Sequence, residues 1–452
     1  MNPLPILPEA LLALGIILAL VFDAAGQGRL AWLSALAAVA GGAVAALVVP
    51  HGPVVDGLLA TDALGQAVRL LVLPATFILL LTGNSAVDGG QRRFAIPILA
   101  VALGALVAGA SVHVVPLFLG LELMSLASYC LAAWSGTRRN AEAAMKYVLF
   151  GGVASAIALF GLGHVYGLTG HLDFAGIATA LKTPSVGASA ALACAGASLL
   201  AKLAVVPLHL YAPDVYQGAP PLAVTVFASL PKIAVIAVFG RLIDLGIIGG
   251  QPVLSLLAIA TIVWAAAAAL SARDSQRILA FSALGHAGSA LLVVSFGATA
   301  SALWYLAAYL PSAIGAFAVL GLLADRTALE ALRGSGRRRP ILAGVLILCI
   351  VSLVGVPPFS GFFAKWHALA ALARTGGTLA LVGATVILVA TATTAWAYLR
   401  IVRAAVLEPG EGTAVLPVAP RSALLGLALC VALTLGLGLW LDGPTALGLV
   451  GR

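Results

Sequence analysis

Four of the five lysines in this chain, Lys146, Lys202, Lys232 and Lys365, fall within or close to long apolar stretches, and only Lys182 sits in a predicted loop. An ammonium at the centre of a membrane helix costs about 3 kcal/mol on insertion scales, so a chain that keeps several of them uses them. Arginine holds its proton in a protein, whereas a desolvated lysine can be driven toward neutrality by burial and drawn back by a carboxylate. Lysine therefore suits a site that must load and unload protons. The acidic partner is Glu122, in LFLGLELMSLASY; Ser125 and Tyr129 follow at i+3 and i+7, so three polar groups share one helix face turned from lipid. The residues alone leave rival readings open. Lys146 can snorkel from a helix end, Glu122 can belong to a structural ion pair, Glu142 can cap a helix beside a basic loop, and Asp214 stands at a break where water could reach it. His286, in FSALGHAGSALL, and His209 can each relay a proton near neutral pH or serve as a packing residue.

The elements that must position these groups are membrane helices. Hydrophobic residues make up 62% of the chain and charged residues 9%, with a mean hydropathy of +1.12, which excludes a soluble globular domain and predicts an all-α integral membrane protein. Apolar stretches are expected near 4–22, 30–49, 66–82, 95–111, 114–134, 142–166, 187–210, 222–246, 253–271, 277–297, 300–323, 341–370, 378–404 and 421–441, about fourteen spans in all. The first lacks a basic n-region and a cleavage site and is read as a retained helix. Cys130, Cys194, Cys349 and Cys430 each lie in an apolar run and are read as small buried hydrophobes. With no CxxC, no paired haem-ligand histidines and no GxGxxG in a strand-turn-helix setting, redox chemistry is expected in another chain.

The net charge of +8 follows from orientation and not from nucleic acid. Alternate loops hold Arg29, Arg92, Arg93, Arg138, Arg139, Arg273, Arg277, Arg326, Arg333, Arg337, Arg338, Arg339, Arg400, Arg403 and Arg421, while the opposite set and the tails hold little beyond Lys182, Arg374 and Arg452. The first set is expected to be cytoplasmic and both termini to be outside.

Two of the spans are broken. Pro207, Pro213, Pro220 and Pro221 interrupt the run from Lys202 to Lys232, and Pro357-Pro358 interrupts 341–370. Backbone that has lost its donors must face protein or a wet cavity. The broken segments are the seventh and twelfth in order and so run in opposite directions, each with a lysine near its break. This predicts two inverted five-helix repeats, over 95–246 and 253–404, preceded by a three-helix segment at 1–94 and followed by a C-terminal helix in 405–452.

At this point the chain resembles the antiporter-like membrane subunits of the proton-translocating NADH:quinone oxidoreductase, respiratory complex I, and among them the subunit N family. The motifs are LFLGLELMSLASY with Glu122, AEAAMKYVLFGGVASAIALFG with Lys146, KLAVVPLHLYAPDVYQGAP followed by PK at Lys232, ILAFSALGHAG with His286, VPPFSGFFAKW with Lys365, and the early Pro8-Glu9. The tract APDVYQGAP and a lysine at the twelfth span are the discriminating features. Local departures are PPLAVTVF and SVHVVPLF, and no long amphipathic helix follows 441. The resemblance implies that Glu122 and Lys202 are the charged pair of a first half-channel, Lys232 the link toward the centre, Lys365 the terminal site of a second half-channel, and Lys146 and His286 connecting residues. It implies a multi-pass subunit of the bacterial inner membrane, without a cofactor of its own, beside neighbouring antiporter-like subunits and the bilayer. NAD, FMN, iron-sulfur clusters and quinone are expected in partner subunits. The rivals from other classes are a secondary cation/proton antiporter, self-standing or multisubunit, and a scaffold of inert ion pairs.

Overall fold

The computed structural model describes residues 4–50, 52–55, 57–83, 94–182, 185–248, 251–323, 328–409 and 419–440. Arg92, Arg93, Arg326 and Arg452 from the charge argument, and the end of the last span at 441, lie outside the described residues.

Helices α1 (Leu7–Ala24), α2 (Gly28–Val48) and α3 (Ala63–Thr82) form an N-terminal group. Between α2 and α3 a hairpin pairs β1 (Gly52–Val54) with β2 (Leu59–Thr61), a small addition to the all-α expectation. Asp62 then starts α3 by accepting the Gly65 N–H at 2.7 Å. Helices α4 (Ala95–Ala110) and α5 (Val114–Ala133) are separated by only three residues. The short link works because Ser111 Oγ returns to the Val107 carbonyl at 2.7 Å and His113 Nδ1 accepts the Val115 N–H at 3.1 Å, so both helix ends are satisfied by side chains in the gap. The long α6 (Arg138–Thr169) ends on Gly170 at φ 70°, a left-handed cap, and leads into the short α7 (Phe174–Ala180).

The first broken span comprises α8 (Val186–Ala195) and α9 (Ala197–Leu203), followed by α10 (Ala212–Gly218). Helix stops at Leu203 and not near 210 as expected, because Ala204 takes a left-handed φ of 55° and Pro207 follows, across a cis bond. A further interruption was not foreseen. The run expected as one span at 222–246 divides into α11 (Pro221–Phe227) and α12 (Leu230–Asp244), since Pro231 brings no N–H to the first turn of α12. Ser229 Oγ closes the gap by bonding to the Thr225 and Val226 carbonyls.

Helices α13 (Gln251–Ser271), α14 (Ser275–Ser295) and α15 (Thr299–Leu323) follow, then the short α16 (Ser335–Arg338). The second broken span is α17 (Pro340–Val354) and α18 (Ser360–Thr375), parted at Gly355 with φ 90° and the cis Pro357-Pro358 bond. The halves meet closely: a Cβ at Gly361 would overlap the Ser352 carbonyl, so glycine is required there. Helices α19 (Thr378–Val402) and α20 (Arg421–Leu439) complete the chain.

Among the described residues, twelve helices are long and apolar enough to cross a membrane, while Ala95–Ala110 and Pro340–Val354 are apolar but shorter. Every expected stretch therefore meets helix, with twelve of about fourteen reaching full span length. The segments Pro221–Asp244, α14 and α15 are buried along nearly their whole length and form the centre; α6 and α19 keep most of their surface outside.

Two arginines are buried inside the helical bundle among the described residues. Arg69 in α3 is 3% exposed and binds Glu9 of α1 through Nε and Nη2, at 2.8 and 2.9 Å, with the Pro5 carbonyl as a further acceptor at 2.8 Å. Arg241 of α12 binds Asp62 and the Gly109 carbonyl, joining α12 to the start of α3 and the end of α4. Burial alone would raise the Asp62 carboxyl, but the hydrogen bonds and charge of Arg241 hold it below the usual range. We expect Arg69→Ala to leave Glu9 uncompensated and to lower stability by about 3 to 5 kcal/mol. The amount of folded chain in the membrane, and its thermal midpoint in detergent, should drop accordingly. Replacing both partners with Glu9→Leu and Arg69→Met should recover most of the loss; a single variant with parent stability would contradict the clamp.

Candidate functional site

Most of the residues singled out from the sequence fall in or beside two small cavities and one surface cluster. The first cavity lies between α5, α6, α9 and α10 and measures about 20 Å³, room for a water molecule. Its polar walls are Ser125, Ser128, Tyr129, Tyr147, Ser198, Lys202 and Tyr211, and it reaches Pro231 at the start of α12. Lys202 sits in the last turn of α9, where the carbonyl end of a helix favours a cation. Its ammonium donates to Ser125 Oγ at 2.8 Å and to Ser198 Oγ at 3.2 Å.

Lys202 and Glu122, expected as a charged pair, are not in direct contact. Ser125 stands one turn beyond Glu122 on α5 and takes the ammonium, while Glu122 Oε1 accepts from Ser155 Oγ of α6 at 2.6 Å. Both charged groups are thus engaged by hydroxyls, which can donate as well as accept. Contrary to the expectation of one polar face turned from lipid, Ser125 is buried while Glu122 is half-buried, on a face of α5 whose other members, Val115, Leu119, Leu126 and Cys130, are exposed. Gly151 shapes the cavity from α6, since a Cβ there would overlap the Tyr129 hydroxyl.

Lys232 is 1% exposed. It belongs to the first turn of α12, where the helix macrodipole opposes a positive charge. Its ammonium donates to the Ala283 carbonyl of α14 and lies 5.6 Å from the centre of the Tyr309 ring of α15. Among the described residues, neither of these partners is a carboxylate.

The second cavity, about 30 Å³, is lined by Lys365, His286, Tyr305, Ser282, Thr394 and Tyr398 among others. Lys365 projects from α18 back to the end of α17 and donates to the Leu353 and Val354 carbonyls at 2.9 and 2.8 Å. Breaking the span at Gly355 frees these carbonyls for the lysine. His286 Nδ1 is 2.7 Å from the Tyr305 hydroxyl, and its ring lies 4.6 Å from that of Tyr309. Tyr309 therefore packs against both Lys232 and His286.

Lys146 is set apart from these cavities. Together with Glu142 at 2.9 Å and Asp214 at 3.2 Å it forms a surface cluster, which Arg277 joins by binding Asp214 at 3.1 Å. The cluster borders a polar cavity of about 270 Å³ between α6 and α10, and its ion pairs tie α6 to α10 and α14. His209 is buried with its ring edge-on to Trp264 at 4.0 Å, away from both lysine cavities. Sequence reasoning missed Tyr305, Tyr309, Tyr398, Ser198 and Ser155; the one available signal was the spacing of Tyr305 and Tyr309 at i, i+4 in an apolar helix, which packing tyrosines share. Among the described residues no group of three or more His, Cys, Asp or Glu could hold a metal ion.

Residues 111–392 match the family model described as NADH:quinone oxidoreductase/Mrp antiporter, transmembrane. The chain is 35% identical to NADH-quinone oxidoreductase subunit N of Sphingopyxis alaskensis, covering 79% of this chain and 80% of that one. It is 33% identical to NADH-quinone oxidoreductase subunit N 2 of Acidobacterium capsulatum, covering 90% and 89%. In structure it matches a chain of respiratory complex I from Thermus thermophilus with a TM-score of 0.82 and 30% identity, over 98% of both chains. A chain of the Mrp complex from a Dietzia species shares the fold with a TM-score of 0.83 at 22% identity, over 99% of this chain and 96% of that one. The chain belongs to the NADH:quinone oxidoreductase/Mrp antiporter family of membrane subunits, and within it to the subunit N group of NADH-quinone oxidoreductase.

Proposed function

We propose that this chain is the proton-translocating, non-redox part of a quinone-reducing membrane complex, moving protons along Lys202, Lys232, His286 and Lys365 with Glu122 setting the charge at the first lysine. The observation that carries this reading is Lys232: a lysine 1% exposed, without a carboxylate partner, between two water-sized cavities that hold the other two lysines. A structural role gives no reason to bury an ammonium at a helix N-terminus, where both desolvation and the dipole oppose it. A relay does, because a site that holds its proton weakly passes it on.

The terminal lysines are built differently. Carbonyls are obligate acceptors, so the end of α17 favours Lys365 charged, whereas the serines around Lys202 can turn to donate to a neutral amine. A charge arriving at Lys202 then drives the next step by repulsion. Two like charges about 8 Å apart at an effective dielectric of about 20 repel by roughly 2 kcal/mol.

In this reading the two broken spans are the corresponding elements of inverted repeats at 95–246 and 253–404, each giving access to one side. Lys146, with Glu142, Asp214 and Arg277, stands at a mouth of the first half and not on its midplane. The arginine-rich loops face the cytoplasm of a bacterial cell, both termini face outward, and neighbouring antiporter-like subunits complete the array. NAD, FMN, iron-sulfur clusters and quinone belong to partner chains.

The test is to purify the tagged chain from gentle detergent and identify what accompanies it. Quinone-reducing and iron-sulfur subunits, with proton uptake by vesicles that requires quinone reduction, are the expected result. Small antiporter subunits, with sodium-proton exchange independent of quinone, would show the reading to be wrong.

A further inference from the structure

Arginines gather where α19 ends and α17 begins. Helix α19 runs into a π-helical turn, Arg403–Leu407, with Glu408 directly after it. Glu408 pairs with Arg403 Nε at 3.0 Å and with Arg333 Nε at 2.7 Å, and its carbonyl accepts the Gly334 N–H at 3.1 Å. Helix α16 presses on the same turn, since a Cβ at Gly336 would overlap the Ala405 carbonyl, and this sets the exposed Arg337 and Arg338 beside it. Against these arginines the described residues of this corner offer two carboxylates, Glu408 and the exposed Glu330, so the patch keeps a net positive charge. The Arg333 and Arg403 side chains remain 50% and 71% exposed even with Glu408 between them. Next to the charged patch lies apolar surface. Trp396, Leu399 and Arg403 recur at i, i+3 and i+7 and share one exposed face of α19, and Ile341 at the start of α17 is exposed as well. At about 1.5 Å per residue Trp396 sits roughly 10 Å deeper than Arg403, which puts a tryptophan at the membrane interface and a guanidinium among the headgroups.

We propose that this corner binds an anionic phospholipid, its phosphate held by Arg333, Arg337 and Arg403 and its acyl chains lying along Leu399 and Trp396. The inference is independent of the proton-transfer reading above. A free inorganic anion would answer the charge and leave the apolar face bare, and a neutral lipid would do the reverse. A phospholipid of net negative charge answers both. The guanidinium fork matches phosphate oxygens in pairs, which suits arginine to this task better than lysine. Glu408 holds two of the forks in one place before the lipid arrives, so less side-chain freedom is lost on binding. Each arginine beside an anionic headgroup layer strengthens attachment about fivefold. The bound lipid ties α16, which leads into the second broken span, to the end of α19 at the membrane edge.

The experiment uses the full chain in vesicles and follows quenching of tryptophan fluorescence by phosphatidylglycerol or phosphatidylcholine brominated in the acyl chains. The difference between the parent and Trp396→Phe isolates the signal of Trp396. Phosphatidylglycerol should quench it at a mole fraction at least about tenfold lower than phosphatidylcholine does, as two or more arginines at about fivefold each require. Combining Arg333→Gln with Arg403→Gln should remove most of that preference, whereas Arg374→Gln, at the end of α18, should leave it unchanged. Arg337→Gln breaks no ion pair among the described residues and should lower the preference about fivefold, which keeps the test valid should the double variant fold poorly. Equal quenching by the two lipids overturns the site, as does an equal loss in Arg374→Gln, which would reduce the effect to general surface charge. Loss of the preference on adding inorganic phosphate at constant ionic strength would assign the arginines to a free anion and overturn the lipid. Absence of Trp396 quenching by either lipid would show the face covered by protein, and would overturn it too.

Discussion

Lys202→Arg should stop proton uptake almost as completely as Lys202→Ala, in a complex that still assembles. Arginine keeps the charge and much of the reach, and the hydroxyls of Ser125 and Ser198 can accept from its fork as they do from the ammonium. The difference is chemical, because a guanidinium cannot be neutralised at working pH and the first half of the path would stay permanently loaded. A structural ion pair would treat the exchange as mild, the more so since Glu122 already binds Ser155 and needs no direct partner. Quinone-driven proton uptake in vesicles, normalised to assembled complex, is the measurement. An increase in the barrier of about 3 kcal/mol is already a loss of more than about a hundredfold in rate. Full uptake in the arginine variant would favour the scaffold reading over the relay.

Lys232→Met separates stability from function more sharply. Methionine fills a similar, irregular volume and removes a buried charge that has no carboxylate partner, so the exchange should be neutral or stabilising for the fold. The Ala283 carbonyl it leaves behind lies inside the continuous helix α14 and keeps its place in the backbone ladder. Proton transfer should nonetheless be lost, since the two cavities would then be parted by apolar side chains with no group to accept a proton. Greater or equal thermal stability, with fewer protons taken up per quinone reduced or with uptake and reduction both lost, is the expected pair of results.

The broken spans were legible because proline and lysine are conspicuous in an apolar chain: Pro207 and Pro357-Pro358 announce backbone that cannot be helix, and the ammonium groups beside them are too expensive to be idle. The boundary near 210 was not, because nothing in the residue type of Ala204 signals that it will adopt a left-handed conformation. The gap before Lys232 lay in a proline whose helix-start role looks the same as a tolerated first-turn proline. Within the site, charges could be read and their partners could not. Serines and tyrosines occur throughout apolar helices, and only packing decides that Ser125 reaches Lys202, Ser155 reaches Glu122, and Tyr309 touches both Lys232 and His286. Arg69 and Glu9, sixty residues apart, carry no local pattern that pairs them. Lys146 shows the converse: its place near a helix end was legible, and the structure adds Glu142 and Asp214 as its partners.

The central claim is that protons cross from the cavity of Lys202 to that of Lys365 through Lys232. Its most direct test is the number of protons taken up per quinone reduced, measured in the same vesicles for the parent complex and for Lys232→Met. A lower ratio with quinone reduction still proceeding, or loss of both in a fully assembled complex, is the result expected of a relay; a parent ratio at the parent rate in the assembled variant would contradict it.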